Sequence, residues 1–340
     1  MASENQVAVI TGASSGIGRA TALEFAKLGT RVVLAGRDQD ALRQTEEECT
    51  SLGANALAVT TDVTSPEQVE RLASRAEEAY GHIDVWINNA AISMFAKFDE
   101  APIEDYRRVI ETDFFGYVYG ARSALKRFKA QGTGLLVNID SPEGLVPKPF
   151  TSAYSAAKHA VMALASSIRM ELILDGYKNI YVSTVIPSHV ETPLVAHAAN
   201  YTGKAIQAEH TDTSPEQIAR AITSLVDHPK RQIVVGTPAK GLAATYMLAP
   251  NRYEQMVPKN FSRRTFLEEE MGPIKGNLYE PTEPHALLGE WQHSEHDKSS
   301  PGLRRALPWL ALAGVAAIGT VAIVAGSILS SRKTVPEPEL

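Results

Sequence analysis

Short apolar runs alternate with amphipathic stretches from about residue 6 to residue 236. The strand-like runs are VAVIT (7–11), RVVLAG (31–36), NALAVTT (55–61), DVWINN (84–89), GLLVNID (134–140), IYVSTVI (180–186) and QIVVG (232–236). Between them the pattern predicts helices near 16–28, 38–52, 65–80, 103–131, 154–175 and 214–227. Ser65-Pro66 with Glu67 and Ser214-Pro215 with Glu216 read as helix starts, with proline at the first helical position. Strands alternating with helices imply parallel pairing through right-handed crossovers. Several strands are apolar almost throughout, as expected when helices cover both faces. The predicted fold is a doubly wound α/β sheet over residues 1–240.

After Gly236 the pattern loosens. Residues 241–271 read as a partly helical extension broken by Pro250 and Pro258, with Tyr246, Met247, Met256, Phe261 and Phe266 among charges. That extension suits either a lid over a substrate cleft or a membrane-facing patch. Residues 272–304 are rich in Pro, Glu and His and read as an extended linker. From Leu307 to Leu329 no charge interrupts 23 residues, about 34 Å of helix, enough to cross a hydrocarbon core of about 30 Å. Arg304 and Arg305 precede this segment, Arg332 and Lys333 follow it, and Trp309 lies where an interfacial aromatic would. A single transmembrane helix at 307–329 with a short polar tail, 330–340, is therefore expected. Met1–Gln6 has no signal-peptide character, so the large N-terminal part is expected on the cytosolic side.

Composition changes this picture little. The 340 residues are 44% hydrophobic and 21% charged, and the net charge of −6 argues against nucleic-acid binding. Cys49 is the single cysteine, which excludes an internal disulfide and a multi-cysteine zinc site; its setting, EEECTSL, predicts a helix-surface thiol. His285, His293 and His296 gather near Glu290, Glu295 and Asp297, but a Pro-rich linker is a poor metal scaffold, and no metal is expected.

The chemistry begins where the first strand runs into Thr11-Gly12-Ala13-Ser14-Ser15-Gly16-Ile17-Gly18 and a helix follows. A glycine-rich turn there lets backbone approach a pyrophosphate that faces the helix N-terminus. This turn resembles the cofactor turn of the short-chain dehydrogenase/reductase family. Further motifs follow in that family's order: Asp62-Val63, Asn88-Asn89-Ala90-Ala91, Tyr154-Ser155-Ala156-Ala157-Lys158, and Pro187-Ser188 with Thr192. Ala91 and Ser188 stand where the family has glycine. The resemblance covers roughly 5–236 and implies a Rossmann-type sheet of order 3-2-1-4-5-6-7. It also implies a nicotinamide dinucleotide, a small carbonyl or alcohol substrate, and a homodimer or homotetramer paired through long helices. Gly12, Gly16 and Gly18 would cradle the pyrophosphate beside Ser14, Ser15 and Ile17. Asp62 and Val63 would meet the adenine, and Asn89, Ala90, Pro187, Val190 and Thr192 would line the rest of the cofactor. The second strand ends Leu34-Ala35-Gly36-Arg37. Gly36 replaces the acid that NAD enzymes use and Arg37 offers a guanidinium to a 2′-phosphate, so NADP(H) is expected over NAD(H), with Asp38 keeping NAD open.

Tyr154 and Lys158 are one helical turn apart and share a face. A phenol is a poor base at neutral pH, and a neighbouring ammonium favours its phenolate. Tyr154 is expected to be the proton donor and acceptor, with Lys158 lowering its pKa. The resemblance implies that Lys158 also bonds the ribose and that Ser141, just after the fifth strand, holds the substrate oxygen. In the family an asparagine 28 residues before that serine supports a proton-relay water; here the position is Asp113, which only accepts hydrogen bonds when ionised. Asp113, Asp140 and Pro142 keep open an alternative, an anchored NADP(H)-binding sensor with impaired catalysis.

Overall fold

The computed structural model of the chain describes residues 5–188, 190, 192–207, 213–236 and 240–283. Seven parallel strands form one sheet: β1 Val7–Thr11, β2 Arg31–Gly36, β3 Ala56–Thr60, β4 Val85–Asn88, β5 Gly134–Ile139, β6 Ile180–Pro187 and β7 Gln232–Val235. Their order is 3-2-1-4-5-6-7, as the sequence predicts. Side chains alternate across each strand. Val7, Val9, Val33, Trp86, Leu136 and Val182 enter one apolar cluster, while Ala8, Ile10, Val32, Leu34, Ile87 and Val137 enter another. Both faces are thus buried, which explains strands that are apolar throughout.

The first of these layers holds α3 (Pro66–Tyr80), α5 (Gly116–Gln131) and α6 (Ser152–Leu174); the second holds α1 (Gly16–Lys27), α2 (Gln39–Ser51) and α8 (Pro215–Asp227). Ser65 caps α3 by accepting from the Gln68 amide. Ser214 caps α8 in a reciprocal box whose partner is Gln217, one residue beyond the Glu216 read from the sequence. Cys49 corrects an expectation: it is fully buried among Phe25, Leu34 and Leu42, and burial pushes its thiol up to about 12. A run of three glutamates disguised the inward face of α2.

The long helical stretch 103–131 comprises α4 (Ile103–Ile110), a π turn at Glu111–Phe115, and α5. A single-turn helix, α7 (Pro193–Ala196), follows β6. Beyond the sheet come α9 (Lys240–Leu248) and α10 (Pro250–Thr265), then a strand, Phe266–Glu270, paired antiparallel with Lys204–Ile206. Residues 272–283, expected to begin an extended linker, instead pack on the domain: Ile274 bridges Asn200, and Leu278 is fully buried. Among the described residues no helix is long and apolar enough to cross a membrane, and no group of His, Cys, Asp or Glu could hold a metal. The segment 307–329, the tail and the histidines beyond 284 lie outside the described residues.

Candidate active site

The C-terminal ends of the strands open into a cleft of about 310 Å³. It lies at the switch between β1 and β4, where the strand order reverses and open α/β sheets bind ligands. The turn after β1 is locked to the end of β4. Asn89 donates from its side chain to the carbonyls of Thr11 (2.8 Å) and Gly12 (3.2 Å), and the Thr11 hydroxyl accepts from the amides of Asn89 and Ala90. Two glycines permit this. Gly12 adopts φ +67°, and a Cβ on Gly18 would stand 2.0 Å from the Gly12 carbonyl oxygen. The first turn of α1 has no side-chain cap and no acid, so its amides suit an anionic group. This cradle fits the pyrophosphate of a dinucleotide.

Across the cleft, β5 ends at Ile139 and delivers Asp140 and Ser141. Pro142 holds Ser141 extended (φ −151°, ψ 159°), and the Ser141 hydroxyl accepts from the Glu143 amide at 3.1 Å. Glu143 is buried and takes hydroxyl donors from Thr151 and Ser155, each at 2.7 Å, which ties the loop to the start of α6. Tyr154 and Lys158 project from the first two turns of α6. The Ser141 side chain reaches the Tyr154 phenol; burial raises the phenol's pKa, and Lys158 and Ser141 only partly offset that rise. Lys158 is almost wholly buried. Its ammonium donates to the Tyr117 hydroxyl (3.1 Å) and the Ile139 carbonyl (3.0 Å), and stands 5.4 Å from the Tyr154 ring centroid. A hydroxyl, a phenol and an ammonium thus meet at one wall of the cleft.

Two buried carboxyls face that ammonium. Asp113, in the π turn, accepts from the Ile92 amide at 2.9 Å, and Asp140 accepts from the Ser141 amide at 2.8 Å; the second oxygen of each has no protein partner. Burial raises both from 3.8 to about 7, against the attraction of Lys158. Groups raised in this way bind protons more readily folded than unfolded, so stability present at acid pH is lost as pH rises from about 4 through about 7. Asp113→Asn keeps an acceptor for Ile92 and removes one such proton site. It is expected to flatten that loss and exceed the wild type in stability above neutral pH, by about 1–3 kcal/mol. Melting temperatures measured across this range check it; parallel pH curves for the two proteins would show that Asp113 is not the group.

At the other end of the cleft, Asp62 is bound rather than free. Its carboxylate accepts from the Arg108 guanidinium at 2.7 Å and from Thr64, and these bonds outweigh burial and hold its pKa below the usual range. Arg37 donates to the main-chain carbonyls of Asn277, Leu278 (3.0 Å) and Tyr279 (2.9 Å). The cleft is also lined by the apolar Ile92, Phe95, Val195 and Phe261 and by the polar Lys148 and Gln207. Phe261 belongs to α10, so the extension supplies a wall of the cleft, while its Met247 and Leu248 are exposed.

The structure brings every sequence-predicted site residue to this cleft except two. Gly18 sits behind the turn, and Asp113 lies fully buried beneath Lys158. Sequence reasoning missed Tyr117, Arg108, Glu143 and the residues 277–282, none of which carries a motif. Glu143, next to Pro142 and two residues from Ser141, had proximity alone to mark it.

The profile of the family described as short chain dehydrogenase matches residues 6–202. An uncharacterized oxidoreductase, YxnA, of Bacillus subtilis is 37% identical over 260 residues, covering 75% of this chain and 72% of that protein. Among solved structures, a short chain dehydrogenase/reductase from Burkholderia phymatum in complex with NAD superposes with TM-score 0.65 at 27% identity, covering 75% of this chain and 96% of the other. An alcohol dehydrogenase from Thermococcus sibiricus, complexed with 5-hydroxy-NADP, gives TM-score 0.60 at 25% identity, covering 68% and 96%. Fold, cleft and these likenesses agree: the chain belongs to the short-chain dehydrogenase family of oxidoreductases.

Proposed function

We propose that the chain is a membrane-anchored, NADP(H)-dependent enzyme that interconverts a lipophilic carbonyl compound and its secondary alcohol. That it is an oxidoreductase acting on CH–OH groups follows from its family. The observation that carries the mechanism is the gathering of Ser141, Tyr154 and Lys158 in one cleft, with the Lys158 ammonium 5.4 Å from the Tyr154 ring centroid, opposite the glycine turn. A bound nicotinamide supplies or receives the hydride. Ser141 would hold the substrate oxygen; Tyr154 would give that oxygen a proton during reduction and remove it during oxidation. Lys158 lowers the cost of the phenolate and would reach the ribose, while Tyr117 and the Ile139 carbonyl hold its ammonium in place. Arg37, with Gly36 in the acid's position, supports NADP(H). Ile92, Phe95, Val195 and Phe261 support an apolar substrate. The anchor rests on the uncharged stretch 307–329, with the catalytic part on the cytosolic side.

The test uses the full chain in lipid nanodiscs. NADPH and NADH are titrated by fluorescence, then NADPH consumption is followed over a panel of lipophilic ketones and aldehydes. Saturable NADPH binding with turnover of an apolar carbonyl is expected. Binding with no turnover of any carbonyl or alcohol would move the assignment to an anchored sensor. Protease protection in sealed vesicles checks the topology, the expected result being an exposed catalytic domain.

A further inference from the structure

The segment from Gly276 to Thr282 lies where the adenosine end of a dinucleotide would rest. Asn277, Pro281 and Thr282 share the cleft wall with Gly36, Arg37 and Asp62. Its docking is specific. The Asn277 amide donates to the His197 carbonyl at 2.9 Å, the Leu278 side chain is fully buried beside Ile92 and Val109, and the Tyr279 hydroxyl donates to Asp105 at 2.8 Å. Gly276 adopts φ +50°, and a Cβ there would stand 2.2 Å from the His197 carbonyl oxygen, so only glycine allows the segment to sit down.

Once docked, the segment presents three successive carbonyl oxygens to the Arg37 guanidinium, and the Leu278 carbonyl also accepts from Arg108 at 2.9 Å. Glu280 lies within electrostatic reach of Arg37, and Asp62 already neutralises Arg108. A 2′-phosphate needs the same guanidinium donors and would bring its charge against these oxygens. A 2′-hydroxyl needs neither. The segment also leaves the Asn277 side-chain oxygen and the Thr282 hydroxyl buried without a protein partner. Both belong to cleft-lining residues and suit an adenosine hydrogen bond.

We infer that residues 276–282 are an internal competitor of the 2′-phosphate: docked, they occupy Arg37 and narrow the preference for NADP(H) over NAD(H), and lifted, they free Arg37 and widen it. The inference rests on Arg37 being the phosphate partner, and it makes cofactor choice depend on a strap that leads into the chain toward 307–329.

The test is Gly276→Val in the full chain, with Leu278→Asp as a second undocking variant. Hydrogen exchange at the Asn277 amide establishes that the strap has lifted. Dissociation constants for NADPH and NADH are then compared with the wild type. The ratio is expected to shift toward NADPH by about tenfold or more, the worth of one charge-assisted hydrogen bond. Adding Arg37→Gln to the lifted strap should erase that gain. An unchanged ratio with the strap lifted, or equal weakening of both cofactors, would overturn the inference. The reading of Arg37 is judged separately, in the wild-type background: if Arg37→Gln leaves NADPH affinity unaltered there, that reading fails as well.

Discussion

Tyr154→Phe is expected to lower turnover by about 10²–10⁴-fold while NADPH still binds with an affinity close to that of the wild type. The substitution deletes one oxygen. The ring keeps its place over Lys158 and among Ile92, Ala153 and Leu278, so folding and the glycine cradle are untouched. What disappears is the phenol oxygen between Ser141 and Lys158. Lys158 and the oxygen-holding Ser141 remain, and residual rate from their electrostatic help is expected. Single-turnover kinetics with saturating NADPH separate the two cases. A loss confined to the chemical step fits the account; a loss in NADPH affinity alone would assign Tyr154 to binding.

Gly18→Val carries the second large effect. At this position even a methyl carbon would stand 2.0 Å from the Gly12 carbonyl and 2.6 Å from the Asn89 amide nitrogen. The obstacle is backbone, so no rotamer relieves it, and the turn must move off β4. Asn89 would then lose its bonds to Thr11 and Gly12. A cost of about 2–4 kcal/mol in stability is expected, from overpacking and lost buried hydrogen bonds together. NADPH binding should fall by about a hundredfold or more, since the phosphates lose the amides that face them. Thermal melts and fluorescence titration check both effects; a variant that melts and binds as the wild type does would mean the turn is looser than its packing indicates.

Much of this was legible in the sequence because the signals are local. Short apolar runs such as Val7-Ala8-Val9-Ile10 named the strands, and Gly12 to Gly18 named the turn, since each motif lies within one strand-to-helix passage. Tyr154 and Lys158 were legible from helical spacing. Contacts between distant elements were not. Nothing near Arg37 in sequence announces that residues 240 positions later will bind it. The segment 272–283 looked like linker because it opens a stretch, 272–304, rich in Pro, Glu and His, yet a buried leucine and three main-chain carbonyls help to dock it. Cys49 misled for the same reason, its polar neighbours facing solvent while it faced the core. The π turn at Asp113 has no sequence signature at all.

The central claim is that hydride passes between a nicotinamide in this cleft and a substrate carbon whose oxygen Ser141 and Tyr154 hold. It is tested most directly by supplying full-length protein with NADPH deuterated at the transferable position and the best carbonyl from the panel, then analysing the product alcohol by mass spectrometry. The account predicts one deuterium at the carbinol carbon with the wild type, and labelled alcohol formed about 10²–10⁴-fold more slowly with Tyr154→Phe. Saturated NADPH binding with no deuterium in any alcohol of the panel would contradict it.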